Sequence, residues 1–356
     1  MSLLSFEDAY AWLIDNASRA ADKRPYVLLG NGFSISFDNK RYSYKAILER
    51  AEGKLSELSY SPKIFQDLGS EDFEKVIFKL EDIAGGLEVI DPIKYKEEIS
   101  GLRYESSRVK QILAESIADL HNDRPFSVAE SSYELCRLFI NKFKAYYTTN
   151  YDFLLYWVCM HDTEMEDTGI LATDGFYDRD VDADYVVWDD LGSKTQTLFY
   201  LHGALHLFKD KTDGTIRKIT YSRTKSALIE QTRKQLDAGR YPLVVAEGSA
   251  ESKKKRVSES AYLSHCHRSL ASRGGALLVY GLSFSDNDSH IGDAIARSTI
   301  SKIAVSVYGN PDSPENRKVR DSVDKIVDKR NKKGEKKNSY KRLEVRYFDA
   351  STADIW

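Results

Sequence analysis

An α/β fold built on a mainly parallel, doubly wound sheet is what this sequence predicts, on three observations. Short apolar runs alternate with amphipathic helical stretches along most of the chain, the pattern of strands joined by crossover helices. The first such run, Pro25-Tyr26-Val27-Leu28-Leu29, is bounded by proline and glycine, as a strand buried on both faces is. Four of the runs end in a short polar motif: Gly30-Asn31-Gly32-Phe33-Ser34, Thr148-Thr149-Asn150-Tyr151-Asp152, Leu201-His202-Gly203 and Gly281-Leu282-Ser283-Phe284-Ser285-Asp286. Motifs that follow strands lie along the carboxyl edge of a parallel sheet, where such folds bind nucleotides. The chain reads as one Rossmann-like unit over 1–356, with flanking helices, a helical insertion over about 43–143 and a C-terminal helix and strand over about 313–349.

In order, residues 6–21 predict a helix with Tyr10, Leu13, Ile14 and Ala17 on one face. The first strand follows at 25–29. From 43 to 143 the period is helical: Phe73, Val76, Ile77, Leu80 and Ile83 recur at three- and four-residue steps, as do Val109, Ile112, Leu113, Ile117 and Leu120. Residues 144–148 predict a strand and 152–160 a helix. Residues 161–195 lack a period and read as a loop with one short strand at 185–188. A strand at 197–201 leads to a hairpin, 205–208 with 217–220, around Thr212-Asp213-Gly214. Further strands are expected at 243–246, 276–280, 303–307 and 343–348, and helices near 221–238, 258–272, 286–298 and 313–328.

The net charge of −3 gives the chain no general attraction for nucleic acid or anionic lipid. No run approaches the roughly 20 apolar residues of a membrane span, and the first residues carry no secretory pattern. Cys136, Cys159 and Cys266, three and far apart, suit reduced thiols in a cytoplasm and rule out a four-cysteine zinc site within one chain. Two basic segments, 253–256 and 329–342 with Lys332, Lys333, Lys336 and Lys337, read as a solvated loop and a solvated helix end.

The paired glycines Gly30 and Gly32 let backbone approach a pyrophosphate, with free N–H groups facing its charge. Ile35 stands where a dehydrogenase fingerprint has its third glycine, which argues against a hydride-transfer site. Asn150 and Asp152 have a plain alternative role in capping the next helix. His202 at a strand end is by itself as easily structural as catalytic. His206 sits in a turn, and His265-Cys266-His267 lies on a helix where neighbours point apart, so no metal site is expected. Ser285 or Asp286 is expected to cap the helix after the last motif, followed by Asp288 and His290.

Taken together, these motifs resemble those of the sirtuin superfamily, specifically its bacterial sirtuin-like branch without a zinc module. Gly30-Asn31-Gly32-Phe33-Ser34 stands in place of the Gly-Ala-Gly loop, Thr148-Thr149-Asn150-Tyr151-Asp152 of Thr-Gln-Asn-Ile-Asp, Leu201-His202-Gly203 of Leu-His-Gly, and Gly281-Leu282-Ser283 of the later Gly-x-Ser loop. The Asp72-Phe73-Glu74 helix and Phe284-Ser285-Asp286 look like the bacterial branch. The resemblance implies cleavage of the nicotinamide–ribose bond of NAD, with NAD a substrate and not a resident cofactor. His202 would be the general base, Asn150 would orient water, and Asp152 would fix local geometry. Gly30, Asn31, Gly32, Phe33, Ser34, Gly203, Gly281, Ser283, Phe284, Asp288 and His290 would line the nucleotide site. Without a zinc module to seat acyl-lysine, water is the acceptor, as in NAD hydrolases of antiphage defence. The resemblance also implies control by a homo-oligomer or a separate sensor subunit, in the cytoplasm. The alternative is a non-catalytic subunit that binds NAD or ADP-ribose.

Overall fold

The structure, a computed structural model, describes residues 3–15, 23–161, 172–180, 182–189, 191–334 and 342–356. Its centre is a six-stranded sheet of β1 (Tyr26–Leu29), β2 (Tyr146–Thr148), β5 (Leu198–Tyr200), β8 (Gly274–Tyr280), β9 (Thr299–Val307) and β10 (Glu344–Asp349). The spatial order is β10-β9-β8-β1-β2-β5, and every pairing is parallel. Counted along this sheet alone the order is 3-2-1-4-5-6, that of a Rossmann fold, and it reverses between β1 and β8. Val27, Leu28 and Leu29 are wholly buried, as are Leu277, Leu278 and Val279. These strands therefore read as unbroken apolar runs because helices cover both faces.

A second, antiparallel sheet has the order β3-β4-β7-β6, from β3 (Phe176–Tyr177), β4 (Tyr185–Trp188), β6 (Leu207–Lys209) and β7 (Ile216–Ile219). The sequence gives the β6–β7 hairpin and the strand at 185–188 as separate features. In the structure β4 pairs with β7, so they form one sheet. The strand expected at 243–246 is reduced to a single bridge, Gly203 with Val244. That segment serves the turn after β5 in place of a ladder: Ala204 N–H donates to Leu243 O and Val245 N–H to His202 O.

α1 (Phe6–Ile14) ends earlier than the 6–21 expectation; residues 16–22, with Ala17, lie outside the described residues. After β1 come α2 (Gly32–Phe37) and α3 (Asn39–Tyr42), then the insertion of α4 (Tyr44–Leu55), α5 (Ser61–Leu68), α6 (Phe73–Ile90), α7 (Lys96–Leu120) and α8 (Glu130–Asn141). Phe73, Val76, Ile77 and Leu80 are buried on α6, and Val109, Ile112, Leu113 and Ile117 on α7, where the two helices pack along each other. Asp72 caps α6 through its side chain, which accepts from Glu74 N–H, and this sets Glu74 on the first turn.

α9 (Leu154–Met160) follows β2. The single helix expected at 221–238 is two, α10 (Tyr221–Thr224) and α11 (Leu228–Asp237), broken where Lys225 takes a left-handed φ of 58°. α12 (Ala250–Ser258) and α13 (Ala261–Ser272) precede β8, α14 (Ser289–Arg297) follows it, and α15 (Pro314–Gly334) leads toward β10.

Each basic segment departs from the solvated reading at one buried residue, while Lys254, Lys255 and Lys329 are exposed. Residues 253–256 lie within α12, where Lys253 is wholly buried on the same face as Val257. In the other segment Arg330 is buried, its guanidinium donating to Ala296 O and Ile300 O, while Lys329 pairs with Asp293. Lys332 is exposed, and residues 335–341 lie outside the described residues. Among the described residues no helix is long and apolar enough to cross a membrane.

Candidate active site on the sheet edge

The four motifs follow β8, β1, β2 and β5, which are four adjacent strands, so all four loops share one carboxyl edge. The two glycine loops meet at the order reversal. Gly30 N–H donates to Tyr280 O and Gly32 N–H to Gly281 O, both at 2.9 Å. A Cβ on Gly32 would stand 2.5 Å from Gly281 Cα, so this contact requires glycine on both sides. Gly281 also needs its freedom for a φ of 67°.

The sequence reading reserves these N–H groups for a pyrophosphate. The structure uses them inside the protein: besides Gly30 and Gly32, Phe33 N–H bonds Gly30 O and Ser34 N–H bonds Asn31 O. Phe33 is turned into the core against the Trp356 ring, and the Asn31 amide donates to Tyr42 O. Ser283 is exposed at the rim. Phe284 is buried with a left-handed φ of 50°, and neither Ser285 nor Asp286 caps the helix beyond by its side chain.

Ser34, Asn150 and Asp152 form the first buried cluster. Asn150 Nδ2 donates to Ser34 Oγ at 2.8 Å, and Ser34 Oγ donates to Asp152 Oδ2 at 2.6 Å. Asp152 Oδ1 accepts Leu154 N–H at 2.9 Å. Burial pushes the Asp152 carboxyl up, opposed by those two hydrogen bonds. With both oxygens engaged, Asp152 orients Ser34 and, through it, Asn150. Asn150 Oδ1 is buried and has no hydrogen-bond partner. Buried acceptors in native proteins are nearly always paired, so this oxygen is placed to accept from a water or a ligand.

His202 belongs to the second cluster. Thr148 and Tyr200 pair in register, so Asn150 and His202 stand at matching positions two residues beyond their strands. Gly203, at a φ of 76°, turns the chain so tightly that a Cβ would lie 1.8 Å from Leu243 O. His202 Nε2 is 2.9 Å from His290 Nε2, one of the two carrying the hydrogen of that bond, and 3.8 Å from Asp288 Oδ1. Lys253 Nζ holds Asp288 Oδ1 at 2.8 Å and Glu74 Oε2 at 2.7 Å. The Tyr151 hydroxyl donates to Val245 O at 2.7 Å and lies 3.3 Å from Glu74 Oε1. His267 Nε2 bonds Leu201 O at 3.0 Å, steadying the backbone beside His202.

Burial holds His202 well below the ordinary histidine range, assisted by the Lys253 charge, and holds His290 down at about 2. Both rings are therefore neutral at pH 7, and the hydrogen bond between them takes the lone pair of one. Glu74 is pushed up to about 7 by burial, opposed by Lys253.

The sequence reading places His202, His290 and Asp288 in the site, and the structure brings them together. It misses Lys253 and gives Glu74 no role. The available signal for Lys253 was its four-residue spacing from Val257, which puts it on the apolar face of α12. A cavity of about 270 Å³ lies nearby, lined by residues such as Ile77, Lys110, Ser249 and Arg256, but none of the four motifs lines it.

A solved structure from work titled "Structural Basis for the Mechanism and Regulation of Sir2 Enzymes" aligns with 92% of this chain and 99% of its own, at 11% identity and a TM-score of 0.33. No curated protein matches the sequence. The model of the family described as "Domain of unknown function (DUF4917)" matches residues 27–356, which take in the sheet from the second residue of β1 onward, its insertion and all four edge motifs, and the chain belongs to that family.

Proposed function

We propose that this protein is an NAD glycohydrolase, cleaving the nicotinamide–ribose bond with water as acceptor. The observation that carries the reading is the placement of Asn150 and His202, both buried, at matching positions beyond two neighbouring strands of one sheet edge with a Rossmann order of strands. The bond between ribose C1′ and the nicotinamide nitrogen breaks, and its electron pair leaves with nicotinamide. Water oxygen bonds to C1′, and the proton it sheds passes to the neutral His202. The products are nicotinamide, ADP-ribose and one proton. Asn150, held by Ser34, presents its free Oδ1 to the water or to a ribose hydroxyl.

Substrate entry must separate His202 from His290, because His202 Nε2 is engaged there. That is consistent with an enzyme held silent until a trigger acts, as the resemblance to antiphage NAD hydrolases implies, with control through a homo-oligomer or a separate sensor subunit.

The test is nicotinamide release from NAD by the purified protein. His202→Ala is expected to lower it by about 10²–10⁴-fold, the usual contribution of a general base, and Asn150→Ala to lower it strongly as well. NAD binding without release, before and after a trigger is supplied, would favour the alternative, an NAD- or ADP-ribose-binding regulatory subunit. No binding at all would overturn both readings.

A further inference from the structure

We propose that His202, His290 and Asp288 form a site for one divalent transition-metal cation of the zinc type. Their ligating atoms lie within 4.8 Å of one another. Two imidazole nitrogens and one carboxylate oxygen are a donor set suited to such a cation, with further positions left open. At bonds of roughly 2.0–2.1 Å, tetrahedral zinc keeps its ligand atoms about 3.3 Å apart. The His202–His290 separation of 2.9 Å and the His202–Asp288 separation of 3.8 Å bracket that distance. Small side-chain adjustments therefore suffice. No local motif links these two histidines, which are 88 residues apart in the chain.

Charge points the same way. Two carboxylates, Glu74 and Asp288, share the single ammonium of Lys253 beside two neutral imidazoles. The one remaining negative charge favours an added cation, although a divalent one exceeds it by one and a proton on Glu74 competes with it. Lys253 also sets the affinity: it fixes the Asp288 carboxylate from one side, and the cation must share that carboxylate with an ammonium, so binding is reversible. One consequence rests on the hydrolase reading: a cation on His202 Nε2 takes the lone pair the base needs, so the metal inhibits.

The experiment uses the full chain after chelation, titrated with Co²⁺ by visible absorption and with Zn²⁺ by calorimetry. One equivalent is expected to bind, weakened about tenfold or more in His290→Ala and in Asp288→Asn. In the wild type, Zn²⁺ is expected to shift the imidazole ¹⁵N resonances of His202 and His290 and to leave His121 and His206 in place, a readout that requires no variant to fold. Absent binding, binding indifferent to both substitutions, or shifts at other histidines would overturn the site. Nicotinamide release is followed in the same samples. Release in chelator that Zn²⁺ fails to suppress overturns the inhibition alone, whereas failure of the chelated protein to bind NAD counts against the hydrolase reading and leaves the metal site standing.

Discussion

Lys253 shows how much one side chain can hold. Its ammonium is wholly buried and joins Glu74 on α6 to Asp288 before α14, so it ties the helical insertion to the sheet edge. Breaking a buried pair from one side leaves an uncompensated charge, and Lys253→Met is expected to destabilise by about 3–5 kcal/mol in urea unfolding. Adding Glu74→Gln to that variant should recover part of the loss; no recovery would mean that the pair is not what the lysine supports. The sequence does not disclose this group because its members are 179 and 35 residues apart and Lys253 stands in a basic run that looks solvated. Asn150 and His202 were legible for the opposite reason: each sits in a short local motif directly after an apolar strand. Phe33 misled because a loop residue beside two glycines resembles a ligand contact, while its ring packs on Trp356 from the far end of the chain.

Elements were legible where the reason for them is local. The alternating strands and helices, the 207–219 hairpin and the α6–α7 pair follow from apolar periodicity, and each is present close to where the sequence places it. Residues 243–246 are as apolar as a strand, but their carbonyls and N–H groups pair with the turn at Gly203, a choice that only tertiary structure makes. The two glycine loops act as one element, because their backbones touch. Gly32→Ala would drive a methyl to 2.5 Å from Gly281 Cα. The expected cost is about 1–3 kcal/mol, as for other overpacked sites. Thermal melting should show it, and Gly85→Ala is the control, since a Cβ there meets open space on α6. Equal melting temperatures for the two variants would show that the loops yield freely.

Across the whole molecule, burial keeps an unusual share of histidine neutral. His121 and His267 are held at about 4, His290 at about 2, and His202 and His206 well below the ordinary range. His206 has no partner on either ring nitrogen. An unfolded chain protonates these rings near pH 6.5, so between that value and about 4 the unfolded state binds more protons and stability rises with pH. Glu74 works the other way between 4.5 and about 7, since its folded form holds a proton the unfolded form gives up. Asp152, also pushed up by burial, acts in the same sense as Glu74; five groups outweigh these two, and the melting temperature is expected to climb from pH 4 to about 6.5. A flat profile there would mean that these rings are charged in the folded state.

The contact between Phe33 and Trp356 has a bearing on synthesis. Trp356 Nε1 donates to Phe33 O, and its ring lies 4.9 Å from Phe33 and 4.8 Å from Phe37. The first edge loop thus leaves the ribosome early but finds its packing partner 323 residues later, a delay on the order of half a minute at usual translation rates. Until Trp356 has emerged, the first edge loop beside β1 lacks the ring that packs against both Phe33 and Phe37.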